Sequence, residues 1–284
     1  MIDIIRQKAK ELLESKKVDV VIGYGKGTLP NRTTPIFITD PKDVDKLEWN
    51  EYCLNDLAVY LRHPSLKKYA KKAIIMKPCD VKAVVDLLQE NQIDRENVFI
   101  IGVACDGMKD FESGESLAKC LVCSGHNPSF CDEKIGESKV PDLPILAEFA
   151  DIEKYEQMTP DERWDFWKKA FSHCIRCYGC RAVCPLCYCD RCIVEKTIPQ
   201  WISSSAHEQG NLSWGIFRAM HMAGRCIGCG ECERVCPAGI PLTLLYKKLK
   251  KEVLEQYCYE PGKDPDAEAP MCHFTKNDSE DFIR

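Results

Sequence analysis

The sequence predicts an α/β domain with a mostly parallel sheet over residues 1–150. A mainly α-helical, cysteine-rich domain follows over residues 151–256, then an acidic C-terminal arm over residues 257–284. Three observations carry this reading. Short apolar, β-branched runs alternate with a helical pattern in the first half. Of the 19 cysteines, 11 fall between Cys174 and Cys236. The last 28 residues hold seven acids against three bases, which suits an extended arm better than a core.

The opening MIDIIRQKAKELLESKK has Ile2, Ile5, Ala9, Leu12 and Leu13 at helical spacing, which predicts an amphipathic helix. Asp3, Arg6 and Lys8 interrupt it, so it does not read as an export signal. Val18–Ile22 is the first strand candidate. Gly23, Gly25 and Gly27 after it read as a turn; their spacing is not that of a phosphate loop, though a nucleotide or flavin contact stays open there. Pro35–Thr39 and Ala73–Met76 are the next strands. A helix over Val81–Gln89 leads to a fourth strand, Val98–Val103. Strand, helix, strand over so short a span is a parallel crossover, and continuous apolar runs fit strands covered on both faces.

Residues 107–151 read as ordered loop or linker. Thr159, Pro160 and Glu162 then spell a helix start with a capping box, and Trp164, Trp167, Ala170 and Phe171 form one apolar stripe behind it. Further helices are expected over 212–223 and 242–257.

Composition removes several classes of protein. With 45% hydrophobic and 29% charged residues, wholesale disorder is excluded. A net charge of −5 argues against binding nucleic acid through a basic patch. No run of about 18 apolar residues occurs, so no membrane span is expected and the localisation expected is cytoplasmic. Cysteines this dense in a chain this long do not suit a small disulfide scaffold and point to metal in a reducing compartment.

Two segments repeat: CIRCYGCRAVCP at 174–185 and CIGCGECERVCP at 226–237. Each is C-x2-C-x2-C-x3-C-P, in which three thiolates grip one 4Fe-4S cube and the fourth reaches another. The spacing puts Cys174, Cys177, Cys180 and Cys236 on one cluster, and Cys226, Cys229, Cys232 and Cys184 on the other. Zinc also uses C-x2-C pairs, but two triplets each followed by Cys-Pro do not suit it. The helix between Cys184 and Cys226 favours a helical dicluster ferredoxin domain.

Arg176, Arg181, Arg191, Arg225 and Arg234 crowd these loops; they either raise the potential of an anionic cube or are solvated surface charge. Cys187, Cys189 and Cys192 read as buried structural thiols, with another metal centre as the alternative. His207 and His221 read as surface or packing residues.

In the first domain Cys79 and Cys105 each follow a strand. Parallel strands end on one edge, so both thiols should emerge together, and the Cys120–Cys123 pair follows on the next loop. Four cysteines from three segments are able to hold a third cluster, with Cys131 as substitute ligand; the alternative is packing thiols. Asp80 and Asp106 beside them argue mildly against it.

Pro78-Cys79-Asp80, the Gly-x-x-Cys segment ending at Cys105 and the Cys120/Cys123 pair resemble the beta-subunit family of deazaflavin-reducing hydrogenases and formate dehydrogenases. The ferredoxin segment looks like dicluster proteins found with heterodisulfide-reductase-type complexes of anaerobes. The resemblance covers most of residues 15–250. It implies that the Pro-Cys, Gly-x-x-Cys and C-x2-C elements accompany a third 4Fe-4S cluster. Members of the hydrogenase branch bind flavin and the deazaflavin coenzyme, but no flavin motif, and so no FAD site, is matched here residue by residue. The expectation is an electron-transfer subunit relaying single electrons through 4Fe-4S clusters. Catalysis would sit in a hydrogenase, formate dehydrogenase or heterodisulfide-reductase-like partner subunit. The alternative is a flavin-containing oxidoreductase subunit acting directly on a deazaflavin or similar two-electron carrier.

Overall fold

A computed structural model describes residues 1–270 and shows how the strand candidates assemble. Strand β1 (Val20–Lys26) pairs antiparallel with β2 (Thr33–Ile38) and with the short β3 (Leu47–Glu48). It pairs parallel with β4 (Lys72–Met76), and β5 (Val98–Val103) and β6 (Glu133–Ile135) continue parallel in the order β2-β1-β4-β5-β6. The sheet is mostly parallel.

Successive side chains of a strand point to opposite faces, and the core divides accordingly. Val21, Ala73, Ile75, Ile101 and Val103 pack under helix α1 (Ile2–Glu14) against Ile5, Ala9, Leu12 and Leu13. Ile22, Tyr24, Ile74, Met76 and Ile100 face the other way, onto Val81, Val84 and Leu87 of helix α2 (Pro78–Gln89). That second cluster runs on without a break into Phe171, Leu212, Leu242 and Tyr246. The two halves of the chain therefore share one core.

Two sequence expectations change here. Gly23 and Gly25 lie inside β1, not in a turn. A Cβ on Gly23 would come within 2.5 Å of Leu47 Cδ2, and one on Gly25 within 2.7 Å of Ile36 Cγ2. Glycine is what lets β2 and β3 lie close on this strand. Its backbone is paired to both sides, so no phosphate cradle remains. The segment 107–151 also holds more than loop: helix α3 (Ala118–Leu121), β6, and a tight 3-10 stretch over Ile145–Ile152 that buries Phe149 and Ile152.

Beyond α4 (Glu153–Glu156), α5 (Pro160–Ser172) opens with the expected capping box. Thr159 Oγ1 accepts from the Glu162 amide at 3.3 Å and Glu162 Oε2 accepts from the Thr159 amide at 2.8 Å. Phe171 is buried, but Trp164 is 53% exposed, so the apolar stripe is covered only at its C-terminal end. Then come α6 (Gly179–Ala182), α7 (Glu208–His221), α8 (Glu231–Arg234) and α9 (Leu242–Tyr257). His207 caps α7, its Nδ1 accepting from the Gly210 amide at 3.2 Å, and both His207 and His221 are exposed.

The acidic arm behaves differently from the free segment its composition suggests. Residues 258–270 fold back onto α2 of the same chain. Tyr259 is buried and donates to Gln89 Oε1 at 3.0 Å, while Lys82 pairs with Glu260 at 2.6 Å. Gln89 Nε2 donates to the carbonyls of Asp264 and Ala267 at 2.9 and 2.7 Å. The apolar anchors expected at Met271, Phe274, Phe282 and Ile283 lie outside the described residues. Tyr259→Ala is expected to remove about 2–4 kcal/mol of docking energy. Limited proteolysis within 258–270 should then accelerate at least tenfold while the sheet stays folded; equal cutting rates would show that Tyr259 does not hold the arm.

Candidate metal centres

The two cysteine runs fold alike because the same positions turn the same way. Arg176 and Tyr178 of the first run have φ of 59° and 57°, and the equivalent Gly228 and Gly230 of the second have 78° and 74°. Each loop therefore curls left-handed twice before a single helical turn, α6 or α8, carries its third cysteine. Glycine takes this backbone freely, whereas Arg176 and Tyr178 take it at a cost of about 1–2 kcal/mol each. Their compensation is packing: the Tyr178 ring meets Trp214 edge-on at 5.3 Å and Arg176 lies over both rings. The amides of Arg176 and Gly228 donate to the thiols of Cys174 and Cys226, countering the upward push of burial on both.

The eight ferredoxin cysteines separate into two cavities. Cys174, Cys177, Cys180 and Cys236 line one, with Phe171, Trp214 and Ile240. Cys184, Cys226, Cys229 and Cys232 line the other, with Leu186, Met222 and Ile227. The fourth cysteine of each run thus stands in the cavity of the other run. Among the described residues no three His, Cys, Asp or Glu side chains converge on a point that would hold a single ion. A mononuclear zinc site needs that convergence; a cube is wider and holds its thiolates further apart.

The cations that line the cavities suit an anionic occupant: Arg218, Lys247 and Lys250 line the second and Arg218 the first, while the carboxylates of Asp56, Glu231 and Glu148 stand behind the thiols of the second. Arg176 is buried beside Cys174, and its three guanidinium nitrogens find no hydrogen-bond partner among the described residues. A buried cation left without a partner is costly unless an anion sits nearby. A 4Fe-4S cube with four thiolates is such an anion. The residues present fit it.

Of the other loop arginines, Arg181 and Arg191 reach Glu195, Arg225 pairs with Glu90 and Arg234 with Glu231. Cys187, Cys189 and Cys192 do not form one buried set. Cys189 is exposed and Cys192 packs with Val194 and Trp214, while Cys187 adjoins Cys184. The hydrogen bond from Cys184, aided by Arg218, holds the Cys187 thiol down at about 6.

In the N-terminal half α2 starts at Pro78, earlier than the sequence suggests, so Cys79 lies in its first turn. Cys79 neighbours Cys105, Cys105 neighbours Cys120, and Cys120 neighbours Cys123. Burial pushes the Cys105 thiol up to about 11, opposed by the amide of Gly107. Gly107 has φ of 114°, so Cys105-Asp-Gly107 reproduces the thiol-to-amide contact of the two ferredoxin loops. The Met108 amide likewise donates to Cys120 Sγ at 3.3 Å. Cys131 contacts the Gly102 backbone and lies beside Asp132 and Lys134.

Sequence reasoning missed two cations here. Lys77 is fully buried, its Nζ 2.6 Å from Asp80, 2.6 Å from the Tyr24 hydroxyl and 2.8 Å from the Cys53 carbonyl. It neutralises the Asp80 charge that weighs against a cluster at Cys79. Lys119 donates to the Cys229 carbonyl at 2.6 Å and also faces Cys79, so it stands between the N-terminal thiols and the second cavity. Lys77 has one local partner, Asp80 three residues on, but its burial against Tyr24 and the reach of Lys119 to Cys229 are set by residues remote in the chain.

Residues 173–241 match the family model of the 4Fe-4S dicluster domain, and residues 4–62 that of the coenzyme F420 hydrogenase/dehydrogenase, beta subunit N-terminal domain. With the fold and thiol geometry above, these define an iron–sulfur electron-transfer subunit. The chain is homologous to beta subunits of F420-dependent formate dehydrogenases, joining their N-terminal domain to a dicluster domain. It is 26% identical to the F420-dependent formate dehydrogenase subunit beta of Methanocaldococcus jannaschii, over 90% of each chain. It is 25% identical to the F420-dependent formate dehydrogenase 1 subunit beta of Methanococcus maripaludis, over 91% of this chain and 90% of that one. A stretch of 99 residues is 33% identical to the polyferredoxin protein MvhB of Methanothermus fervidus, covering 30% of this chain and 24% of that one. The alignment with the Methanocaldococcus relative spans 347 positions against 284 residues here, so that relative carries segments this chain lacks.

The crossed arrangement has a direct test. Cys184→Ala should disturb the paramagnetic resonance signal of the cluster on Cys226, Cys229 and Cys232, and leave that on Cys174, Cys177 and Cys180 intact. A change confined to the latter would contradict the crossing.

Proposed function

We propose that the chain relays single electrons through two 4Fe-4S cubes with crossed ligation and a third at Cys79, Cys105, Cys120 and Cys123. The observation that carries this is the division of eight cysteines between two cavities, each completed by the other run's fourth thiol. A cube accepts and returns one electron at a time without changing its ligands. What the protein adds is order and environment. Cys177 is exposed and marks where the first cavity meets the surface. The second cavity lies deeper, and Lys119 links it to the N-terminal thiols. The three sites form a series from the surface to the sheet edge.

We assign the bond chemistry to partner subunits. We place those partners among hydrogenase, formate dehydrogenase or heterodisulfide-reductase-like redox proteins, in the cytoplasm. Among the described residues no helix is long and apolar enough to cross a membrane. A second reading, a flavin-containing subunit that works directly on a deazaflavin, draws on the F420-dependence in the relatives' names. Release of FAD on denaturing the isolated protein would favour it.

Iron and acid-labile sulfide of the full chain, reconstituted anaerobically, separate the cluster counts. Three cubes give about twelve of each per chain and two give about eight. Cys105→Ser should lower the count by about four while the dicluster signals persist. A wild-type count near eight, unchanged by that substitution, would leave the N-terminal thiols as packing residues.

A further inference from the structure

We infer that Arg218 is a positioning residue shared by the two dicluster sites, a single buried cation that raises the reduction potential of both cubes together. This deepens the cluster reading above and rests on it.

The argument begins on α7. Its buried face carries Asn211, Leu212, Gly215, Arg218 and Ala219, so Arg218 puts a permanent charge on an otherwise uncharged stripe. The side chain is 4% exposed. A guanidinium stays charged wherever it is placed, and burying one is unfavourable without compensating negative charge. Among the described residues no carboxylate pairs with it. Nη2 donates to the Cys180 carbonyl at 2.9 Å, Nη1 donates to the Tyr246 hydroxyl, and Nε has no hydrogen-bond partner. The groups whose charge it feels are Tyr246 and then Cys184, Cys187 and Cys232 on the side of the second cavity, and Cys180 of the first feels it in turn.

Its place in the fold explains why. Arg218 and Tyr246 line both cavities and stand between them. None of Arg176, Lys250 and Lys119 adjoins both dicluster cavities: Arg176 adjoins Cys174, Lys250 is tied to Glu148 at 2.7 Å beside the second cavity, and Lys119 reaches from Cys229 toward Cys79 of the N-terminal half. Reduction adds one electron to a cube and forms or breaks no bond, so a fixed cation favours the reduced form in proportion to its proximity. A cation between two cubes favours both reduced forms and offsets part of their mutual repulsion.

The test is a redox titration of the reconstituted full chain, followed by paramagnetic resonance, with iron content measured alongside. Arg218→Gln should shift both midpoint potentials downward with iron retained, and Arg218→Lys should restore most of the shift. Arg176→Gln should lower only the potential of the cube on Cys174, Cys177 and Cys180. If Arg218→Gln keeps its iron and moves neither potential, or only one, the shared role is wrong. If Arg218→Gln and Arg218→Lys both fail to hold iron, Arg218 is a packing strut and the inference falls. A wild-type chain that takes up no iron would instead overturn the cluster reading itself.

Discussion

Each cysteine run gives three thiols to one cavity and its fourth to the other, and the C-terminal half is arranged around that exchange. Neither cavity is complete until α6 and α8 lie side by side, because Cys184 and Cys236 leave the ends of those short helices in opposite directions. The longer helices then serve as walls. Gly215 on α7 admits the Phe171 ring of α5 so closely that a Cβ there would lie 2.3 Å from it. Tyr246 of α9 closes the space between the two cavities.

The same half is also a structural part of the sheet domain. Parallel strands are normally buried on both faces by helices. Here α1 covers one face, while the other is shared between α2 and the dicluster region, with one apolar cluster running through both. Polar ties follow the same seam: Lys119 to the Cys229 carbonyl at 2.6 Å, Arg62 to the Tyr188 carbonyl at 2.7 Å, and Glu148 to Lys250 at 2.7 Å. Such an interface fixes the distance between the N-terminal thiols and the second cavity.

Buried charge is the other organising feature. Lys77 and Asp80 neutralise each other under β1 and fix the start of α2, and with it Cys79. Among the described residues Arg176 and Arg218 have no such carboxylate. The contrast separates ion pairs that build the fold from cations whose natural partner is an anionic cofactor.

The repeated motif, the capping box at Thr159–Glu162 and the strands of the sheet were legible because each is a local signal: fixed spacing, a four-residue cap, or a run of β-branched residues. The pairing of Cys184 with the second run followed from spacing too. What escaped was set by remote partners. β6 is three residues long and exists because Val103 and its neighbours offer it an edge. Gly23 and Gly25 read as a turn because the side chains that demand glycine, Leu47 and Ile36, come from other strands. The arm at 258–270 looked free because its acids and prolines cannot build a core, yet Lys82 and Gln89 of α2 hold it. The sequence alone indicated which thiols line a common cavity, since loop geometry depends on near neighbours. Only the tertiary structure decided which cations face them, because long side chains find their charges across the core, where separation along the chain carries no information.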